Sequence, residues 1–249
     1  MLRKRVIPVL LINDGDLVKT IKFKNPRYIG DPINAVKIFN EKEVDELIVL
    51  DITRKKNKIN YEFIQDLANE CFMPFGYGGG IKSVEQAIKI IKLGAEKIIL
   101  NTNSLDEKLL QKLIKLIGSQ SIVISIDIKG NFFGKQFVYL NHGKIKINDT
   151  PISFAKKMEK IGVGEIILNF IDREGTFNGY DLNLIRTISN EVKIPVVALG
   201  GAGSMKDLRD GFEAGASAVA AGSKFIFFGP NRAVLINYID HDELEKQMK

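Results

Sequence analysis

The chain has 249 residues, 45% apolar and 27% charged, which is enough for the sizeable core of one α/β domain. Its formal net charge is +6, but the lysines are interspersed with acids and no aromatic-rich basic stripe is present. That pattern argues against nucleic acid and leaves at most attraction of a polyanionic small molecule. Cys71 is the single cysteine, which excludes an intrachain disulfide and a thiolate zinc site. No apolar run reaches the roughly 18 to 20 residues of a membrane span and no secretory leader is recognised, so a cytoplasmic location is expected.

Short apolar, β-branched runs alternate with amphipathic segments along the whole chain. Residues 6–11 (VIPVLL) form the first expected strand. Asp31 and Pro32 open the first helix as N-cap and first helical residue. Strand 47–51 (LIVLD) follows, then the dense cluster TRKKNK at 53–58, taken as a solvated loop, and a helix over 59–70. Strand 74–77 leads through YGGGIKS into a helix over 83–92, stopped near Gly94. Strand 98–101 and helix 106–117 complete the first half. The second half reads as strand 122–127, helix 151–160, strand 166–169, helix 181–190, strand 195–199, helix 204–214, strand 218–221 and helix 231–247. The long non-periodic segment 129–150 contains QFVYLNHGKIKI, a small hairpin turning at Asn141-His142-Gly143.

Strands apolar on both faces and joined by helices call for a parallel sheet. Eight such units close a (β/α)8 TIM barrel, expected as one domain over 1–249. An open doubly wound sheet is the runner-up, but no G-x-G-x-x-G follows the first strand. The turn GG at 79–80 returns as GG at 200–201, and LGAEKIILNT at 93–102 returns as AGASAVAAGS at 214–223. The pairing reads as one half-barrel written twice, over about 1–120 and 121–249.

Glycine turns leaving parallel strands expose backbone N–H groups that hold phosphate without a basic side chain. Gly79, Gly80, Asn101 and Thr102 are one candidate pocket; Gly201, Gly203, Gly222 and Ser223 are another. Two pockets on one mouth imply an elongated substrate with a phosphate at each end. Asp51 and Asp127 end strands, Lys19 follows the first strand, and Glu174 lies in DREGT after the sixth, so all four are candidates for acid–base work there. Capping a helix or pairing with lysine is the competing role, and Asp127 is the residue it suits least. His142 and His241 read as peripheral, and no spacing of His, Asp and Glu suggests a metal; no cofactor is expected.

The segments MLRKRVIPVLLINDGDLVK, DELIVLDIT, GGGIKS, GAEKIILNT, GEIIL, DREGTFNGYD and GGAGSM resemble the cyclase subunit (HisF) family of imidazole glycerol phosphate synthase, over about residues 1 to 240. In that family a glutaminase partner makes ammonia, which crosses the barrel and attacks a bisphosphorylated aminoimidazole carboxamide ribonucleotide, releasing imidazole glycerol phosphate and an aminoimidazole carboxamide ribotide. The resemblance implies phosphate contacts at Gly80, Asn101, Thr102, Gly175, Gly201, Gly222 and Ser223, with Lys19, Asp51 and Asp127 in the active site. It also marks departures. Leu11 stands where the family has the second catalytic aspartate, Glu174 where it usually has Asp, Leu199 where it has a small hydroxyl residue, and TRKKNK where it has a small neutral loop start. Asp14 and Asp16 are the nearby carboxylates that could stand in for the one Leu11 lacks.

Arg5, Glu46, Lys97 and Glu165 each immediately precede a strand and would gather at the N-terminal end of a barrel. The resemblance implies that they gate ammonia entry beneath a glutaminase (HisH-type) partner in a heterodimer, whereas alternating charges that merely satisfy one another would be structural. The expected function is the cyclase reaction. The alternative is a diverged ammonia-channelling subunit of a glutamine-dependent amidine-forming complex in surface or flagellar sugar biosynthesis. A sibling isomerase of the same pathway has no use for the charged ring.

Overall fold

The computed structural model describes residues 4–53 and 59–239. In chain order, β1 (Arg5–Asn13), β2 (Asp16–Ile21) and β3 (Lys24–Gly30) precede α1 (Pro32–Glu41), followed by β4 (Leu47–Asp51), α2 (Tyr61–Glu70), β5 (Phe75–Gly78), α3 (Val84–Lys92), β6 (Lys97–Leu100) and α4 (Glu107–Ile117). Then come β7 (Ile122–Gly130), β8 (Gln136–Leu140), β9 (Ile145–Lys146), α5 (Pro151–Ile161), β10 (Glu165–Phe170), α6 (Leu182–Glu191), β11 (Val196–Leu199), α7 (Met205–Glu213), β12 (Ala218–Ala221) and α8 (Ser223–Ile226). Strands β1, β4, β5, β6, β7, β10, β11 and β12 pair in that order, all parallel, and β12 pairs back onto β1. The sheet is closed, and the fold is a (β/α)8 barrel.

Period-two alternation explains why the strands are apolar throughout. Along β1, Ile7 and Val9 join the cluster inside the barrel while Val6, Leu10 and Ile12 face the helices; along β7, Val123 faces in while Ile122, Ile124 and Ile126 face out. Leu11 continues the inward face of β1 and packs on the interior cluster. Each fully buried Leu or Ile contributes about 1.5–3 kcal/mol.

Helix starts follow the local chemistry read from the chain. Asp31 accepts from the backbone N–H of Asn34 with Pro32 in the first turn, and Asn60, Thr150 and Asp181 cap their helices in the same way. α3 and α7 open with capping boxes, Ser83 with Gln86 and Ser204 with Asp207.

Three features depart from the expected plan. Residues 14–30, with no strand expected, form the β2–β3 hairpin on β1. β3 is exposed over most of its length and the Lys22-Phe23 turn uses positive φ at two non-glycine residues, so neither apolar period nor turn glycine announces the hairpin. Residues 231–239 are not helical: a turn at 231–232 leads into Ala233–Val234, which pairs with Phe227–Phe228, and Tyr238 donates its hydroxyl to the Val6 carbonyl at 2.8 Å. The helix after β12 is instead the short α8; residues 240–247 of the expected helix, and 54–58 of TRKKNK, lie outside the described residues.

Candidate active site

A cavity of about 570 Å³ opens at the C-terminal ends of the strands. Asp51, Gly79, Gly80, Asn101, Thr102, Asp127 and Asn169 line it. A smaller lobe of about 50 Å³ is lined by Lys19, Glu174, Gly175, Leu199, Gly201, Gly222 and Ser223. Leu11, Phe23, Leu50 and Asn169 border both lobes and form the neck between them. The sequence-derived phosphate positions thus divide between two ends of one elongated site.

The geometry at each end has a local cause. Asn101 and Gly222 start short helices, Thr102–Leu105 and α8, that no side chain caps, so the first N–H groups there are not spent on a side-chain acceptor. The N-termini of α3 and α7 are already capped internally. The Gly203 N–H, expected in the second pocket, donates to Asp207 at 2.9 Å, and Gly203 packs on Phe177 outside the lobe. Gly201 has φ +117°, and a Cβ there would lie 2.1 Å from the Gly179 carbonyl oxygen. We expect Gly201→Ala to lower stability by about 1–3 kcal/mol in urea unfolding, from backbone strain before any displacement of the wall is counted. An unchanged midpoint would show that the turn is not constrained.

Lys19 is buried on β2, and its ammonium donates to the Val9 carbonyl at 2.6 Å. Burial lowers its pKa to about 8, with Glu174 opposing the shift. Gly222 leaves the space Lys19 occupies, since a Cβ would meet its Nζ at 2.6 Å. Glu174 is held by the hairpin: it accepts from the Thr20 hydroxyl at 2.9 Å and the Phe23 N–H at 3.1 Å, while the Lys22 N–H donates to its backbone carbonyl. These bonds set Phe23 at the neck. Burial raises the Glu174 pKa against those donors.

Asp127 is buried on the inward face of β7, and the strand runs on to Gly130 rather than ending at Asp127 as expected, because residues 127–130 pair with β8. The Asp127 Oδ1 accepts from the Ser125 hydroxyl at 3.2 Å and the Asn169 amide at 3.1 Å. Burial outweighs both donors and raises its pKa to about 7. Asn169 carries no signal in the sequence beyond ending a strand, and only the β7–β10 register, Asn169 beside Asp127, brings it into the site. Asp51 is held by the Thr53 N–H at 2.9 Å and the Tyr77 hydroxyl at 3.3 Å. Asp14 and Asp16 are exposed and line neither lobe, so neither replaces a carboxylate at Leu11. His142 does line the larger lobe, contrary to expectation, because the β8–β9 hairpin folds back across the mouth and the Asn141 N–H donates to Thr102. His241 lies outside the described residues. Among the described residues no group of His, Cys, Asp and Glu could hold a metal, and no helix is long and apolar enough to cross a membrane.

At the opposite end Arg5, Glu46, Lys97 and Glu165 close a ring. Arg5 pairs with both glutamates, and Lys97 reaches Glu46 at 2.7 Å and Glu165 at 2.8 Å. The glutamates are buried and the two cations partly exposed. Between ring and mouth the interior is lined by Ile7, Ile48, Ile99, Val123, Ile167, Ala218 and Ala220.

Fold and site together define a (β/α)8 barrel with a two-lobed cavity at one end and a closed ring of charges at the other. Residues 5–229 match the family described as "Histidine biosynthesis protein", and the chain belongs to it. A Pseudomonas aeruginosa protein provisionally named imidazole glycerol phosphate synthase subunit hisF2 is 52% identical over 249 residues, covering 98% of this chain and 99% of that one. A Vibrio vulnificus protein provisionally named subunit hisF3 is 46% identical over 257 residues (100% and 98%). The imidazole glycerol phosphate synthase subunit HisF of Petrotoga mobilis is 39% identical over 229 residues (90% and 91%).

Proposed function

We propose that the chain is a cyclase-type subunit of imidazole glycerol phosphate synthase, acting in the cytoplasm with a glutaminase docked over its charged ring. Ammonia released by the partner passes the ring and the apolar interior, which favours neutral ammonia over ammonium and water. It meets a bisphosphorylated aminoimidazole carboxamide ribonucleotide whose phosphates occupy the two ends of the cavity. Asp127 serves the proton transfers, Lys19 and the N–H groups around Gly175, Gly201, Gly222 and Ser223 hold one phosphate, and Gly80, Asn101 and Thr102 hold the other. The observation that carries this reading is the two-ended cavity meeting Asp127 above a closed charge ring on the same barrel axis. In the same reading residues 1–120 and 121–249 are two copies of one half-barrel; the matching capping boxes of α3 and α7 support it.

One observation favours a second reading. Leu11 faces into the cavity where the first reading calls for a second carboxylate, and no exposed aspartate nearby replaces it. A subunit that delivers ammonia to another acceptor, forming an amidine on a sugar, keeps the ring and loses that acid. An assay with ammonium salt and the bisphosphorylated ribonucleotide separates the two. The cyclase reading expects imidazole glycerol phosphate from the unaltered chain, and Leu11→Asp to raise turnover by about 10²- to 10⁴-fold. No product from either protein eliminates cyclisation and leaves the amidine-forming complex.

A further inference from the structure

The small lobe is built from segments far apart in the chain, and one short hairpin near residue 230 is attached to three of them. Phe227–Phe228 pairs with Ala233–Val234 across a turn in which the Arg232 N–H donates to the Gly229 carbonyl at 3.1 Å. The hairpin is tied to α8, which starts at the lobe residue Ser223, because the Leu235 N–H donates to the Ile226 carbonyl at 2.9 Å. It is tied to β3 by the Arg27 guanidinium, 5.7 Å from the centre of the Phe227 ring. Its third attachment is to the turn after β10, which brings Glu174 and Gly175 to the lobe. Arg232 makes it: the guanidinium stands 4.5 Å over the Phe177 ring, and Nη1 donates to the Gly175 carbonyl at 3.3 Å.

That turn needs support from outside. Gly175 has φ +72°, and Phe177 has φ +62°, a left-handed backbone that strains a bulky residue and persists only where the surroundings hold it. Gly175 lies so close to β2 that a Cβ would meet the Thr20 carbonyl oxygen at 2.4 Å, and Phe177 packs against Gly203 on the neighbouring turn. Arg173 braces the far end by donating to the Asn178 carbonyl at 2.9 Å. A guanidinium can stand over a ring and donate from its edge at the same time, whereas a lysine ammonium is a point charge without that flat face. We propose that Arg232 is a positioning residue of the small lobe: it clamps the Gly175–Phe177 turn against the lobe and so sets its affinity for a phosphate monoester. The inference rests on the phosphate reading of the small lobe given above and adds a residue that touches no ligand and acts through Gly175.

The test is an amide NMR titration of the full chain with inorganic phosphate, which reads the two ends separately, the small lobe at Gly222 and Ser223 and the large lobe at Gly80 and Thr102. Arg232→Met is expected to weaken phosphate about tenfold at the small lobe and to leave the large lobe within about twofold. Arg232→Lys keeps the charge but not the planar fork, and is expected to remain at least about threefold weaker than the unaltered chain at the small lobe. Equal losses at both ends, no loss at the small lobe, or full recovery by Arg232→Lys overturn the proposal while the reading of the cavity survives. If phosphate moves neither set of amides in the unaltered chain, the reading of the cavity fails and the proposal falls with it.

Discussion

Asp127→Asn lowers ammonia-dependent turnover by about 10²- to 10⁴-fold, the range for loss of a positioned acid or base. In the proposed reaction the attacking nitrogen sheds a proton, and an ionised Asp127 carboxylate lining the cavity would take it. Its pKa, raised to about 7 by burial, predicts that turnover rises between about pH 6 and 8 when free ammonia is held constant. The residual rate of Asp127→Asn is flat in that window. Stability has the opposite sign. A carboxyl that titrates near 4 when unfolded and near 7 when folded holds an extra proton in the folded state between those values, so its contribution falls as pH rises through that window. Asp127→Asn, which has no charge to bury, therefore gains stability relative to the unaltered chain from pH 5 to pH 8, as measured by urea unfolding at each pH. Turnover within about threefold of the unaltered chain would remove Asp127 from the chemistry.

Glu165→Gln destabilises the barrel by about 3 kcal/mol. Glu165 is buried between Arg5 and Lys97, and removing its charge leaves two cations facing Glu46 alone. Breaking a buried pair from one side costs about 3–5 kcal/mol, and the partial exposure of the two cations places this case at the low end. Replacing Arg5, Glu46, Lys97 and Glu165 together by Met or Leu of similar volume restores most of the stability, because no charge is then left unpaired. The combined variant separates structure from gating. In complex with a glutaminase it is expected to lose glutamine-dependent turnover while keeping turnover with ammonium salt, which reaches the cavity from the open mouth. Equal retention of both activities would make the ring a structural device only.

The legible parts of the fold were those with a local cause. Each barrel strand is buried on two faces and so appears as an uninterrupted apolar run, and each principal helix start carries a cap whose chemistry is confined to four residues. The hairpin over residues 16–30 was silent because β3 is largely exposed and its turn lacks glycine. Gly203 looked equivalent to its neighbours until Asp207 was seen to take its N–H. His142 looked peripheral because only the hairpin's return across the mouth brings it to the cavity.

Residue type and spacing alone determined the alternation of strands and helices, the two glycine turns, the placement of Asp51 at a strand end, and the four charges at strand starts. These are properties of segments, set by periodicity and by bonds a few residues long. Barrel closure decided the rest: that β12 pairs with β1, that four charges from distant segments form a ring, and that Asn169 holds Asp127. It also decided that Glu174 fastens the hairpin that carries Phe23. Such contacts join residues more than 40 positions apart, and only the closed sheet, by fixing register between strands, specifies which side chains share a layer.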